Sequence, residues 1–274
     1  FLRDRPESPS SLAKLWQYPY QYVLSYQAGI RRSSLGELPS GPLLYGNIVH
    51  HAVEQFFSAH PWRLDQPPGQ AKLDAWLQDS YEPLLAAVGL PLLQPGYSTE
   101  RSVLRRAIAR TVMMIITELI GRGTTDIQLE VTRSRSLGAM PIEGRIDILA
   151  TGGPRPAVID LKWGGRSKRE TEISDGRDLQ LSVYGWTACE DGPIDVDIAY
   201  FIVTSGLLLT HPDSTFATAV APDAASPAGE SVPALMSALG STVQWRKKQF
   251  VSGIVELAPP EIDALHEIPT DILP

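Results

Sequence analysis

The sequence predicts an α/β protein: a small mixed β-sheet flanked by helices and preceded by a mostly helical N-terminal part. Two observations support this fold class. Through about residue 121, apolar residues recur at the 3.6-residue spacing of amphipathic helices. From residue 127 onward, short apolar runs separated by Gly- and Pro-containing turns alternate with helical segments. We therefore expect one domain over 1–274, made of a helical part (1–122), a sheet core (123–210) and a C-terminal loop and helix (211–274).

In the helical part, Ser8 is a suitable N-cap for a first helix that we extend to near Gly29. A linker rich in Gly, Pro and Ser follows over 33–42. Three further helices are predicted over 43–60, 70–88 and 97–121, each ended by a Pro- or Gly-containing turn.

The sheet core is predicted from its apolar runs and turns. Strands are expected over 127–135, 142–149, 157–163, 196–203 and 207–210, with a helix over 179–189. Pro, Ala and Ser dominate 211–232, which predicts an irregular loop. An amphipathic pattern over 232–251 predicts a last helix.

The composition is that of a packed globular protein, with 43% hydrophobic residues. The longest apolar runs fall far short of the roughly 20 residues that a membrane span needs, and no signal segment is visible, so we expect a cytoplasmic protein without a membrane partner. The single cysteine, Cys189, excludes an internal disulfide and a cysteine-ligated cluster built from this chain alone. No Gly-x-x-x-x-Gly-Lys-Ser/Thr loop occurs, so the chain has no ATP-driven motor of its own.

The net charge of −7 argues at first sight against a nucleic-acid partner, but the charge is unevenly distributed. Residues 100–170 carry 13 basic and 8 acidic side chains, whereas residues 171–274 carry 4 and 15. The basic side chains form two clusters: Arg101, Arg105, Arg106 and Arg110 on one predicted helix, and Arg166, Lys168 and Arg169 after a predicted strand. Near an active site both clusters could hold phosphates; the alternative is a solvated helix face and a charged loop.

The strongest chemical signal is Asp160-Leu161-Lys162 on a predicted strand. A strand places residues i and i+2 on one face, roughly 6 to 7 Å apart. Asp147 lies 13 residues earlier, a spacing that suits the neighbouring strand. Carboxylates that hold a divalent ion can neutralise phosphoryl oxygens and generate hydroxide near pH 7, so the pattern suggests phosphodiester cleavage. The alternative is an ordinary edge strand with alternating polar residues.

Two further constellations lie on predicted helices. Gly46, His50 and Glu54 follow one another at four-residue spacing and so share a face, where the histidine and glutamate could bind or orient a metal ligand. The alternative is a half-buried structural histidine. Gln180 and Tyr184 share another helix face and could meet a phosphate or brace the lysine; the alternative is an amphipathic helix with its apolar side inward.

In this order, the constellations resemble the RecB/AddB-type branch of the PD-(D/E)XK nucleases over roughly residues 8–205. The matching segments are Gly-Asn-Ile-Val-His-His-Ala-Val-Glu around His50, Glu-Gly-Arg-Ile-Asp ending at Asp147, Asp160-Leu161-Lys162, and Gln180 to Tyr184. The opening Ser8-Pro-Ser-Ser-Leu with Tyr18-Pro19 is similar to the start of AddB-like and CRISPR adaptation nuclease domains. The resemblance implies a restriction-endonuclease-like core.

The resemblance also implies residue roles. It implies a Mg²⁺ or Mn²⁺ ion held by His50, Asp147, Asp160 and the Leu161 carbonyl. It makes Lys162 the catalytic lysine, with Glu54, Gln180 and Tyr184 in supporting catalytic roles. Glu130 resembles an acid often found on the preceding strand and is expected to support the ligands from behind.

Two positions depart from the family pattern. Tyr18 stands where iron–sulfur members have a cysteine, and no cysteine follows the last helix, so we expect no iron–sulfur cluster. Trp163 stands where a small polar residue commonly follows the lysine; it either alters the loop or offers a base a stacking surface. Together with Arg166, Lys168 and Arg169, it makes up our predicted DNA contacts.

These inferences lead us to expect a metal-dependent DNA nuclease that uses metal-activated water, in DNA repair, recombination or defence against foreign DNA. Expected partners are DNA and a helicase, another subunit or the remainder of a longer parent chain, because the sequence starts at Phe1. Two alternatives remain open: a catalytically inactive nuclease-fold domain that binds DNA or serves as a scaffold, and an unrelated structural domain.

Overall fold

A computed structural model of the chain describes residues 5–30, 40–189 and 192–257 and shows a five-stranded sheet between two layers of helices. The helices are α1 (Pro9–Gln17), α2 (Pro19–Tyr22), α3 (Gly41–Ala59), α4 (Gln70–Val88), α5 (Ser98–Gly121), α6 (Arg166–Ser174), α7 (Leu179–Ala188) and α8 (Ala228–Val251). The strands are β1 (Asp126–Leu137), β2 (Met140–Thr151), β3 (Ala157–Lys162), β4 (Asp197–Ile202) and β5 (Leu207–Thr210). The predicted fold class, α/β with a small mixed sheet, is confirmed.

The sheet has the order β1-β2-β3-β4-β5. Its pairs are antiparallel except for β3 and β4, which are parallel. Parallel neighbours need a crossover connection, and here α6 and α7 supply it. As a result β3 and β4 both end at the same edge of the sheet, at Lys162 and Ile202.

Apolar residues form a core on each face of the sheet. On one face α3, α4 and α5 contribute residues such as Ile48, Leu85 and Ile108. On the other face α1, α7 and α8 contribute residues such as Leu12, Leu181 and Leu239. Strand β4 lies between both cores, and all six of its residues are buried, which explains its apolar run from Ile198 to Ile202.

The N-terminal helix is interrupted, contrary to the single helix predicted up to Gly29. Ser8 does cap α1, because its side-chain oxygen accepts a hydrogen bond from the Ser11 N–H at 3.2 Å. Helix α1 ends at Gln17, Tyr18 caps it, and Pro19 begins α2. Proline has no N–H with which to continue α1 but fits the first position of a new helix. A π-helical turn over Val23–Ala28 follows.

Three other differences concern the ends and identity of elements. The segment after β3, for which no helix was predicted and a charged loop was one alternative, forms α6. Of its nine residues only Ile173 is buried, so the sequence shows no apolar periodicity there. Helix α8 begins at Ala228, about four residues earlier than predicted, and contains Pro233. Most of the predicted linker, residues 33–39, lies outside the described residues. No helix among the residues described is long and apolar enough to cross a membrane.

Candidate metal centre and active site

Helix α3 and strands β1 and β2 bring His50, Glu130 and Asp147 together. One ligand atom from each lies within 4.8 Å of the others. His50 Nδ1 is 3.5 Å from Glu130 Oε1 and 3.5 Å from Asp147 Oδ1. Through its other nitrogen, Nε2, the His50 ring donates to the Leu161 carbonyl oxygen at 3.0 Å. We call His50, Glu130 and Asp147 the acidic cluster.

The backbone is unusual where the acidic cluster forms. Glu130 has φ +49°, a left-handed conformation that non-glycine residues rarely adopt in a strand. The residues before and after it, Leu129 and Val131, pack against opposite cores, although strand alternation would place them on one face. Ile146 and Ile148 of β2 switch faces in the same way around Asp147. Both strands therefore change faces at the site, and the left-handed conformation of Glu130 costs about 1 to 3 kcal/mol.

A second group, on β3 and α7, lies beside the acidic cluster. Lys162 Nζ is 2.7 Å from Asp160 Oδ2. The Gln180 amide donates to Asp160 Oδ1 at 3.3 Å and to the Tyr184 hydroxyl at 3.0 Å. Gly144 gives the tyrosine room, since a Cβ there would lie 2.8 Å from Tyr184 Cδ1. This close approach accounts for the glycine of the Glu-Gly-Arg-Ile-Asp segment.

Asp147 directly precedes Ile148 of β2 and Asp160 directly follows Ile159 of β3, and these two isoleucines are the terminal pair of the antiparallel register. The same register therefore places Asp147 and Asp160 on adjacent positions of neighbouring strands. Burial and then the Asp160 carboxylate raise the pKa of Asp147 to about 7. Asp147 Oδ2 also accepts the Leu161 N–H at 2.7 Å, which favours its charged form. Two buried acids in this position call for a compensating cation.

His50 and Glu130 shift each other's pKa in opposite directions. Burial lowers the pKa of His50, but Glu130, Asp147 and the Leu161 carbonyl together raise it above its ordinary value. A hydrogen bond from His50 lowers the pKa of Glu130. Arg145, whose Nε lies 2.7 Å from Glu130 Oε2, lowers this pKa further. In the absence of an ion, the proton on His50 therefore offsets part of the negative charge of the cluster.

The donor set fits a divalent cation. The cluster offers an imidazole nitrogen and carboxylate oxygens, with the Leu161 carbonyl adjacent. Asp160 Oδ2 is buried and accepts no hydrogen bond of good geometry, although Lys162 Nζ lies 2.7 Å away. Oxygen donors suit Mg²⁺, and one imidazole makes Mn²⁺ competitive.

Glu54 does not join the acidic cluster, although it shares a helix with His50. Its carboxylate lies 3.6 Å from His51 Nδ1 and is 38% exposed. It lines a groove of about 360 Å³ between α3 and β1, together with Trp62 and Asp126. This position keeps Glu54 near the site but outside ligand distance.

The predicted DNA contacts fall into two environments. Arg166 and Lys168 are exposed on α6, and Arg166 pairs with Glu170 at 2.8 Å. Arg169 turns inward, where it binds Glu172 and lies over the Tyr200 ring.

Trp163, the fourth predicted DNA contact, is half-buried. Its ring contacts Tyr45 of α3, with a centroid distance of 4.9 Å. The two rings flank the end of β3 directly after Lys162.

Glu130 lies among the candidate ligands, closer to them than its sequence position indicates. We expected it behind the ligands, at the start of a strand; it is the fifth residue of β1 and a member of the acidic cluster. The hairpin determines the position of Glu130, because β1 and β2 are joined by a two-residue turn at 138–139. Such a turn fixes the register and places Glu130 opposite Asp147.

Comparison with known proteins agrees with this geometry. The family model of the PD-(D/E)XK nuclease superfamily matches residues 6–256, a span that contains the acidic cluster, Asp160 and Lys162. A search of curated proteins finds no match. The mixed sheet with helices on both faces is consistent with a restriction-endonuclease-like fold. The chain thus belongs to the PD-(D/E)XK nuclease superfamily, a family of nuclease hydrolases.

Proposed function

We propose that this protein is a Mg²⁺- or Mn²⁺-dependent DNA nuclease that hydrolyses phosphodiester bonds at the acidic cluster. The observation that carries the proposal is the convergence of three ligand groups from α3, β1 and β2 beside the Lys162–Asp160 pair of β3. Carboxylates, an imidazole and a lysine in one place supply the groups that phosphodiester hydrolysis requires.

In this proposal the ion would be held by His50, Asp147, Asp160 and the Leu161 carbonyl. Glu130 joins them, because its carboxylate lies as close to His50 as that of Asp147 does. A bound divalent ion supplies charge neutralisation on the phosphoryl oxygens and lowers the pKa of water.

Lys162 provides the positive charge next to the reacting phosphate. Its ammonium group, held by Asp160, orients the attacking water and offsets the negative charge that develops on the phosphoryl oxygens. The water oxygen bonds to phosphorus as the bond to the 3′ oxygen breaks, and the 3′ oxygen takes up a proton. The family resemblance implies these products, a 5′-phosphate and a 3′-hydroxyl.

Gln180 and Tyr184 position Asp160 for this reaction. Burial and the Asp160 carboxylate raise the pKa of Tyr184, so it remains a neutral phenol at pH 7. The Gln180 amide connects Tyr184 to Asp160 and fixes the carboxylate that holds the lysine. Glu54 acts from the adjacent groove rather than on the ion.

We further propose a RecB/AddB-type nuclease without an iron–sulfur cluster, because Tyr18 occupies the position of the first cluster cysteine and Cys189 is the sole cysteine of the sequence. Its role would be DNA repair, recombination or defence against foreign DNA in the cytoplasm. Translocation along DNA would require a helicase subunit or another part of a longer parent chain, because this sequence has no phosphate-binding loop.

Cleavage of labelled single- and double-stranded DNA with Mg²⁺, Mn²⁺ or EDTA tests the proposal. We expect cleavage only with a divalent ion, and its loss in Asp160→Ala and Lys162→Ala. Lys72→Ala, which removes an exposed lysine of α4, is the matched control and should cleave like the wild type. Equal activity in all four proteins would refute the mechanism. Ion-independent DNA binding without turnover would instead indicate a non-catalytic nuclease-fold domain.

A further inference from the structure

A basic surface lies next to the candidate active site, where β4 ends. Arg110 of α5 donates from Nη2 to the carbonyl oxygens of Val203 and Thr204, at 2.5 and 3.0 Å. These residues begin the turn between β4 and β5. The guanidinium group is therefore fixed at the sheet edge by two neutral acceptors.

The same turn is bound to the end of β3. The Val203 N–H donates to the Lys162 carbonyl at 2.8 Å, and the Thr204 N–H donates to the Trp163 carbonyl at 2.9 Å. Arg110 is thus connected to the catalytic lysine through one pair of backbone hydrogen bonds. These contacts place the Arg110 guanidinium beside the turn that is bonded to the end of β3.

The charge at this edge is free to bind an anion. Arg106 and Arg110 are both exposed, and neither takes part in any of the ion pairs found among the described residues. They are four residues apart on α5, so Arg106 lies about 6 Å further along the helix on the same face. We call Arg106 and Arg110 the α5 arginines.

The opposite side of the site carries the opposite charge. There Glu54 and Asp126 line the groove between α3 and β1, and Glu130 belongs to the acidic cluster itself. A polyanion bound at the site is repelled from this side and attracted towards the end of β4.

We infer that a DNA strand bound at the active site continues across the β4–β5 turn, and that the α5 arginines bind its phosphates. Guanidinium groups suit phosphate because they offer paired donors in a fixed plane. The inference rests on the proposed function for the position of the strand at the site. The surface itself is defined by the contacts of Arg110.

Binding of a fluorescent 30-nucleotide single-stranded DNA in EDTA tests the inference without cleavage. The dissociation constant is measured from 50 to 200 mM salt for wild type, Arg106→Gln, Arg110→Gln and the double variant. Each lost phosphate contact should lower the salt slope by about 0.7 and weaken binding about eightfold at 50 mM salt. Lys72→Gln removes the same charge from α4 and should change neither value.

If Arg110→Gln also lowers the melting temperature, its weaker DNA binding reflects a disturbed turn as well as a lost charge. The result for Arg106→Gln then decides the test, because Arg106 is not bonded to the turn. A double variant that binds like Lys72→Gln, with an unchanged salt slope, would overturn the inference. With Mg²⁺, the double variant should lose kcat/KM on the 30-mer but not on a dinucleotide, which is too short to reach α5. If the wild type binds through the α5 arginines but does not cleave, the proposed function fails and the surface stands.

Discussion

Metal binding at the acidic cluster should release protons and weaken as the pH falls below about 7. Burial and the Asp160 carboxylate raise the pKa of Asp147 to about 7, so this group is largely protonated at pH 6 in the ion-free protein. A divalent ion requires the ionised carboxylate and must displace that proton. The ionised fraction of a group with a pKa of 7 rises from about 9% at pH 6 to about 91% at pH 8.

For this single proton, Mn²⁺ should therefore bind about tenfold more tightly at pH 8 than at pH 6. The raised pKa of His50 acts in the same direction and makes tenfold a lower bound. Isothermal titration calorimetry in two buffers of different ionisation enthalpy measures both the affinity and the number of protons released.

Variants identify the source of the effect. Asp160→Asn removes the second cause of the raised pKa, so the pH midpoint of Mn²⁺ binding should move to lower pH. Asp65→Asn, at an exposed acid paired with Arg63, should leave the pH dependence unchanged. Equal affinity at pH 6 and pH 8, with no proton release, would refute the assignment of Asp147 as a ligand.

Three further predictions concern catalysis and stability. Lys162→Ala should lower kcat by about 100-fold or more while Mn²⁺ affinity stays within a few fold, because the lysine acts on the reacting groups and not on the ion. Single-turnover cleavage measures the loss of rate, and calorimetry measures Mn²⁺ affinity. Equal losses of rate and of Mn²⁺ affinity would contradict this role of Lys162. Glu130→Gly should be more stable than Glu130→Ala by about 1 kcal/mol, because glycine adopts φ +49° without strain. Both variants should bind Mn²⁺ more weakly than the wild type. Urea unfolding compares the two stabilities, and equal stability of the alanine and glycine variants would argue against strain at this position. The buried His211 pairs with Asp178 at 2.9 Å, and although burial lowers the pKa of His211, Asp178 raises it overall, so the pair stabilises the fold below about pH 6.5 and loses this effect as pH rises through the folded-state pKa. His211→Gln should therefore cost about 3 to 5 kcal/mol at pH 6 and clearly less at pH 8, and a pH-independent difference would exclude the ionic pair.

Spacing along the chain predicted the parts of the site that lie on regular elements. Asp147 and Asp160 were expected on neighbouring strands, and the register of β2 and β3 brings their positions opposite each other. Gln180 and Tyr184 were expected on one helix face, and the hydrogen bond between them agrees. The first inference follows from the 13-residue separation, which suits two strands joined by a short turn, and the second follows from the helical period of 3.6 residues.

Positions that depart from those periods could not be predicted from patterns. The face change at Glu130 depends on one left-handed residue, which no apolar pattern reveals. Glu54 has the correct helical spacing from His50, but its carboxylate lies near His51, because a residue one turn away can still point to a different neighbour. Helix α6 has too few buried residues to show a period.

The hydrogen bond from His50 to the Leu161 carbonyl joins residues 111 positions apart, and it lies at the centre of the site. The entropy of closing so long a loop must be overcome before this contact forms, so local helices can form well before it does. During synthesis, a chain that has not yet reached β3 contains α3 and the β1–β2 hairpin but lacks both Asp160 and Lys162. Nuclease activity is therefore a property of the completed sheet, and its recovery during refolding should follow helix formation rather than accompany it.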